Sequence, residues 1–151
     1  MPPKVFLSYG HKDAWEFMHR LFFALELYLG RENLFWDTLI PPGPFPDHLK
    51  TTIEDCDFFV AVMSPYAARA DGWCRRELEI ALDSERPVLP AKLFDDFNDP
   101  LLIDSGQMTY ADFSAEFEVG FRRLTEWILG EARSSWEYLG TCTDDRFLFE
   151  Q

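Results

Sequence analysis

Glu77 is the residue with the clearest chemical promise in this chain. With residues placed about 100° apart around a helix axis, Ile80, Trp73, Ala81, Cys74, Leu78 and Leu82 form one broad apolar arc. Arg75, Arg76, Glu79 and Asp83 fall outside it. Glu77 falls inside, one turn after Trp73, as the only charged residue of the arc. A carboxyl group beside an aromatic ring and partly withdrawn from water holds its proton more tightly. Such a group can act as a general acid or base, or stabilise a developing cation. The plainer reading is that Glu77 pairs with an arginine at the helix edge. His11 and His48 read first as polar surface residues, and Asp37 at a strand end as a loop cap. Arg75-Arg76 reads as a solvated basic spot on an acidic chain. No G-x-G-x-x-G, Walker A, G-x-S-x-G, CxxC or HExxH pattern is present. A standard dinucleotide fingerprint, a P-loop, a hydrolase elbow and a metal motif are therefore not expected.

The elements that must position these residues alternate. Lys4–Tyr9 is a β-rich apolar run ended by Gly10. Asp13, with Glu16 three residues on, reads as the N-cap of a helix from Ala14 to Leu29, stopped by Gly30. Leu34–Asp37 is a second strand. Leu39–Asp47 holds four prolines and a glycine, so it is a stiff loop. A short helix over His48–Cys56 precedes Asp57–Met63, a continuous apolar run suited to a strand covered on both faces. Trp73–Asp83 is the next helix. Arg86–Phe94, with Pro87 and Pro90, reads as an edge or irregular strand. A last strand falls within Gln107–Phe113. Ser114–Leu129 is an amphipathic helix capped by Ser114, with Phe117, Phe121, Leu124 and Ile128 on one stripe. Strand and helix thus alternate about five times, the signature of a mostly parallel sheet covered on both faces. In such sheets ligands bind beyond the carboxyl ends of the strands. If the strand order is flavodoxin-like, Ser8–Asp13, Trp36–Pro46 and Ser64–Glu77 would meet there.

Composition narrows the classes of partner. The 151 residues carry a formal charge of −13, with 47% apolar and 17% aromatic residues. A chain of this length buries roughly 68–70% of its unfolded surface, enough for a core without metals or disulfides. So acidic a chain is a poor binder of nucleic acid or anionic membranes, whose phosphates need Lys and Arg. Three widely spaced cysteines, Cys56, Cys74 and Cys142, fit a reducing cytoplasm. No apolar run approaches the roughly 18 residues of a membrane span. Ser8, His11, Lys12 and Asp13 come too early for a signal-peptide core, so a cytoplasmic location is expected.

Five segments, in order, resemble the Toll/interleukin-1 receptor (TIR) domain family. Val5-Phe6-Leu7-Ser8-Tyr9 with Asp13 is similar to its opening box. Phe35-Trp36-Asp37 and the loop with Gly43 and Phe45 resemble its second strand and BB loop. Ile53 to Pro65 resembles the third-strand box, Trp73-Cys74-Arg75-Arg76-Glu77-Leu78 the W-C-x-x-E-L helix start, and Pro87-Val88-Leu89-Pro90 the fourth strand. The resemblance covers about Pro3 to Leu129. It implies an α/β, flavodoxin-like three-layer sandwich on a five-stranded parallel sheet, with a TIR domain over 3–130 and a C-terminal tail over 131–151. That tail reads either as a partner-docking segment or as a strap on its own domain.

The pattern is closest in style to bacterial TIR domains, many of which cleave NAD+ between nicotinamide and ribose, giving ADP-ribose or a cyclic isomer. The resemblance implies Glu77 as catalytic residue and Tyr9, Gly10, His11, Trp36, Asp37 and Trp73 as substrate contacts. It implies Pro42, Gly43 and Phe45 as an interaction loop, with NAD+ as substrate, no cofactor and no metal. Gly10 stands where many relatives carry a basic residue, which weakens the expected grip on phosphate. Activity is expected on self-association through TIR domains, with a separate sensor or activator protein, in antiviral defence. The alternative is a non-catalytic TIR–TIR module, an adaptor or virulence factor. A related nucleoside-processing enzyme is a third reading, and a flavin carrier is disfavoured by the lack of a phosphate loop.

Overall fold

The computed structural model describes residues 2–36, 45–104 and 109–143. Five strands lie in one parallel sheet: β1 (Val5–Ser8), β2 (Leu34–Trp36), β3 (Phe58–Met63), β4 (Val88–Lys92) and β5 (Ala111–Asp112), in spatial order β2-β1-β3-β4-β5. This is the flavodoxin-like order that the family resemblance implies. The helices are α1 (Trp15–Leu29), α2 (Asp47–Asp55), α3 (Trp73–Asp83), α4 (Pro100–Asp104) and α5 (Phe117–Thr143). A 3-10 turn, Arg31–Asn33, leads into β2. Because every strand runs the same way, the ends of all five lie along one edge of the sheet.

Side-chain alternation divides the core into two layers. Val5, Leu7, Val60 and Val62 face α1 and α5, meeting Met18, Leu21, Leu25, Leu124 and Ile128. Phe6, Phe59, Ala61 and Met63 face α2 and α3, meeting Leu49, Ile53, Leu78 and Ala81. Phe6 and Phe59, partners in the β1–β3 register, stack with ring centroids 5.5 Å apart. The apolar run over β3 is thus explained by burial on both faces.

Four sequence expectations change. Asp13 does not cap α1: the cap position is Ala14, with no side-chain hydrogen bond. The Asp13 carboxylate instead accepts from Ser64 Oγ (2.8 Å) and the Tyr66 amide (2.9 Å), tying the loop after β1 to the loop after β3. β4 is not an edge strand, since β3 and β5 flank it. It tolerates Pro90 because the Pro87 carbonyl accepts from Phe59 on the β3 side and the Lys92 carbonyl from Phe113 on the β5 side. By alternation, the position of the Pro90 nitrogen faces β5, which pairs only with Ala91 and Lys92. No ladder bond to β3 is lost. Ser114 does not cap α5; its amide and hydroxyl both donate to Asp112. The helix runs on to Thr143, past the Leu129 end that its stripe predicts, so residues 131–143 of the expected tail are helical. Residues 144–151 lie outside the described residues.

Gly30 does stop α1: its φ is +83° and its amide donates to the Glu26 carbonyl at 3.0 Å. Among the described residues, no helix is long and apolar enough to cross a membrane.

Candidate active site

The helix that carries Glu77 starts at Gly72, whose extended backbone leaves its carbonyl to accept from Arg76 (3.2 Å). Leu78 and Ala81 anchor α3 on the α2–α3 layer, and Glu77 comes down beside them, only 4% exposed. Ser8, at the end of β1 and 5% exposed, donates its hydroxyl to Glu77 Oε1 at 2.7 Å. A buried carboxylate with such a donor is the arrangement that burial of a charged group demands. Three residues earlier on the same side of α3, the Cys74 thiol donates to the Tyr9 carbonyl at 3.0 Å. Burial, and then the nearby Glu77, pushes the Cys74 thiol up to about 12, so it stays protonated.

Trp73 lies half-buried one turn before Glu77, against the same core layer. Phe45, entering from the proline-rich loop, sits 5.2 Å from it, centroid to centroid. Phe45, Trp73, Arg76, Glu79 and the turn Ala70–Gly72 line a cavity of about 290 Å³. Arg76 is exposed there, its guanidinium 5.8 Å from the Phe45 ring centroid. Arg75 turns away. Its side chain, 11% exposed, pairs with Asp99, 6% exposed, at 2.9 Å and also donates to the Ala68 carbonyl. The Arg75 Nη1 atom is buried with no hydrogen-bond partner among the described residues. The expected solvated basic pair is therefore one buried structural arginine and one exposed one, because successive helix positions point about 100° apart.

The remaining predicted site residues form a second group, on the α1 side. Tyr9 follows Ser8, so its side chain takes the opposite face of the sheet. It is 2% exposed, with the His11 ring stacked on it at 4.6 Å and Trp36 tilted against it at 5.7 Å. Trp36 in turn stacks on Phe22 at 4.8 Å, and Trp15 joins the cluster. The strand edge thus separates Glu77, Trp73 and Phe45 from Tyr9, His11 and Trp36, while Ser8 and Cys74 bind the two groups across it. Asp37, Pro42 and Gly43 lie outside the described residues. His48 is exposed on α2 and lines a separate cavity with Phe35 and Thr52.

Gly10 stands between the two groups for a spatial reason. A Cβ there would lie 2.4 Å from Asp13 Oδ1, 2.8 Å from Ser64 Oγ and 3.2 Å from the Ala67 nitrogen. The residues that sequence reasoning passed over are Ser8, Ser64 and Cys74. The signal for Ser8 was present: it is the one hydroxyl in an otherwise apolar strand, on the Phe6 face. Among the described residues, no group of three or more His, Cys, Asp or Glu side chains could hold a metal ion.

The comparisons agree with this architecture. A family model described as the TIR domain matches residues 5–125. The chain superposes on the TIR domains of the activated Roq1 resistosome directly recognizing the pathogen effector XopQ, with a TM-score of 0.59, 21% identity, and 86% of this chain and 99% of that chain covered. It superposes on the TIR domain of the Toll-related receptor TRR-2 from the lower metazoan Hydra magnipapillata, with a TM-score of 0.61, 23% identity, and 83% and 98% covered. It also superposes on the CMP N-glycosidase BcmB from Clostridium botulinum, with a TM-score of 0.56, 16% identity, and 82% and 98% covered. No curated protein matches the chain. At these identities the three structures show a shared fold.

Proposed function

The chain belongs to the TIR domain family, and from that premise we propose that it is an NAD+ glycohydrolase with Glu77 as its catalytic residue. The observation that carries this reading is the buried Glu77 carboxylate, held by Ser8 at the carboxyl edge of the sheet one turn after Trp73. In the reaction the bond between ribose C1′ and the nicotinamide nitrogen breaks, and its electron pair leaves with nicotinamide. The ribose becomes oxocarbenium-like. A carboxylate fixed beside it stabilises that charge, most strongly where water is excluded. Water then attacks C1′ and gives up its proton, forming ADP-ribose; attack by the adenine ring instead gives the cyclic isomer. Trp73 offers a ring face for stacking, and Arg76 is the cation of the adjoining cavity. His11, on the buried Tyr9 ring, and Trp36 lie across the strand edge from that cavity.

The name of the Clostridium botulinum neighbour, a CMP N-glycosidase, supports cleavage of a bond of the same type on this fold. The Roq1 neighbour is an assembled resistosome. In this reading the present chain likewise acts when its TIR domains associate, as a cytoplasmic effector that depletes NAD+ in defence. The test is NAD+ loss at high protein concentration with products separated by chromatography, wild type beside Glu77→Ala. Wild type should consume NAD+ and the variant should lose about 100-fold or more. Equal turnover by both removes Glu77 from the reaction. No turnover by either, with crowding agents present, refutes the enzyme; a partner-binding signal that survives Glu77→Ala then identifies a non-catalytic interaction module.

A further inference from the structure

Resting on that reading, we propose that Ser8 is a positioning residue, which sets the Glu77 carboxylate from the sheet rather than leaving it to helix α3 alone. Ser8 is 5% exposed and stands opposite the buried Ala61 of β3. Its hydroxyl lies on the apolar face that Phe6 shares with α2 and α3. A hydroxyl placed there without a partner would be costly. Its partner is Glu77 Oε1 at 2.7 Å.

A glutamate side chain has three torsions, and placement on a helix fixes none of the outer two. Tethering one oxygen to β1 removes that freedom, because β1 is held between β2 and β3. A second contact makes the tether two-point. Cys74, three residues before Glu77 and so on the same side of α3, donates to the Tyr9 carbonyl. Consecutive residues of the strand end, Ser8 and Tyr9, thereby fix the rotation of the helix about its axis at the height of the carboxylate. Stabilisation of a cation at C1′ needs placement within a fraction of an ångström, and a 1 Å error is worth about 100-fold in rate.

The experiment is steady-state NAD+ turnover by the full chain as wild type, Ser8→Ala, Ser8→Thr, Ser8→Cys, Glu77→Gln and Ser8→Ala with Glu77→Gln, each checked for folding by thermal unfolding. Ser8→Ala should lower kcat about 10- to 100-fold with KM changed less than about threefold. Ser8→Thr or Ser8→Cys, which keep a donor, should recover part of that loss. In the Glu77→Gln background Ser8→Ala should cost much less than it does alone, since the group it positions is already disabled. A merely structural serine would lower activity by the same factor in both backgrounds, and that result overturns the proposal. So does a folded Ser8→Ala with wild-type kcat. If wild type turns over NAD+ and Glu77→Gln does not, an unaffected Ser8→Ala sinks the positioning role alone. If wild type is inactive, or Glu77→Gln is as active as wild type, the proposed function falls and the role of Ser8 falls with it.

Discussion

Replacing Gly10 by alanine separates two accounts of why a glycine stands there, because they differ in sign. Gly10 does not use the left-handed region; only Gly30 among the described glycines does. On backbone grounds alone, alanine should therefore stabilise by about 0.4–1 kcal/mol, through the unfolded chain. The structure argues the opposite. The new Cβ would sit 2.4 Å from Asp13 Oδ1. That oxygen cannot swing away freely, since the Asp13 carboxylate holds both Ser64 Oγ and the Tyr66 amide. Moving it sacrifices hydrogen bonds to a charged acceptor, each worth about 1.5–3 kcal/mol. Leaving it in place forces the loop Ser64–Ala67 outward, an overpacking cost of about 1–3 kcal/mol. Either route predicts a net loss of about 2 kcal/mol, or about 4–8 °C in Tm for a chain of this size. Urea unfolding measures it, with the midpoint shifted and the slope unchanged. Combining Gly10→Ala with Asp13→Ala should rescue about 1 kcal/mol relative to additivity. Gly10→Ala as stable as wild type, or strictly additive costs, would refute the close-approach argument.

Four further outcomes follow from the same contacts. Asp99→Ala leaves the Arg75 guanidinium buried and unpaired and should cost about 3 kcal/mol in urea unfolding; Arg75→Met with Asp99→Leu should recover most of it. Burial pushes the Cys56 thiol up to about 11 and the Cys74 thiol up to about 12, from 9.0. The unfolded chain therefore releases these protons first, so stability is unchanged by them below pH 9 and falls above it. The fall ends near pH 11 for Cys56 and near pH 12 for Cys74, with a slope of at most about 1.4 kcal/mol per pH unit for each thiol. Urea midpoints taken from pH 8 to 10.5 should decline less steeply in Cys74→Ala than in wild type. For the same reason neither thiol should be alkylated by iodoacetamide at pH 8 before unfolding, as peptide mapping would show. If the NAD+ pyrophosphate crosses the cavity beside Trp73, Arg76→Ala should raise KM about tenfold and leave kcat within about twofold; an unchanged KM would remove Arg76 from the phosphate path.

The parts of the fold legible in the sequence were those whose patterns are local. The unbroken apolar run of β3, the arc of α3 and the stop at Gly30 each read directly, since each reflects burial or backbone freedom of its own segment. What stayed hidden depends on partners far along the chain. Asp13 carries the local signature of a helix cap, yet its carboxylate goes to a loop that follows β3. Pro90 suggests an edge, and only the two-residue length of β5 explains why it sits inside the sheet. In the candidate site, Glu77 was visible because one acid interrupts an apolar arc. Its donor Ser8 stood out only as a hydroxyl in an apolar strand; its pairing with Glu77 was hidden, because joining a strand end to a helix turn requires the register of both. Arg75 and Arg76 look alike in sequence and differ only in which side of α3 each occupies.

The all-parallel sheet also constrains how the chain comes together. No two neighbouring strands can pair through a tight turn: Val5 meets Phe58, and Phe59 meets Val88. Every rung of the sheet must therefore wait for a distant segment, after the entropy of a long loop has been lost. Such topologies fold slowly for their size. During that interval Phe58–Met63, six apolar residues suited to pairing with any strand they meet, stays uncovered. The 13 excess negative charges, which say little about the finished fold, act in this interval by keeping partly folded copies apart.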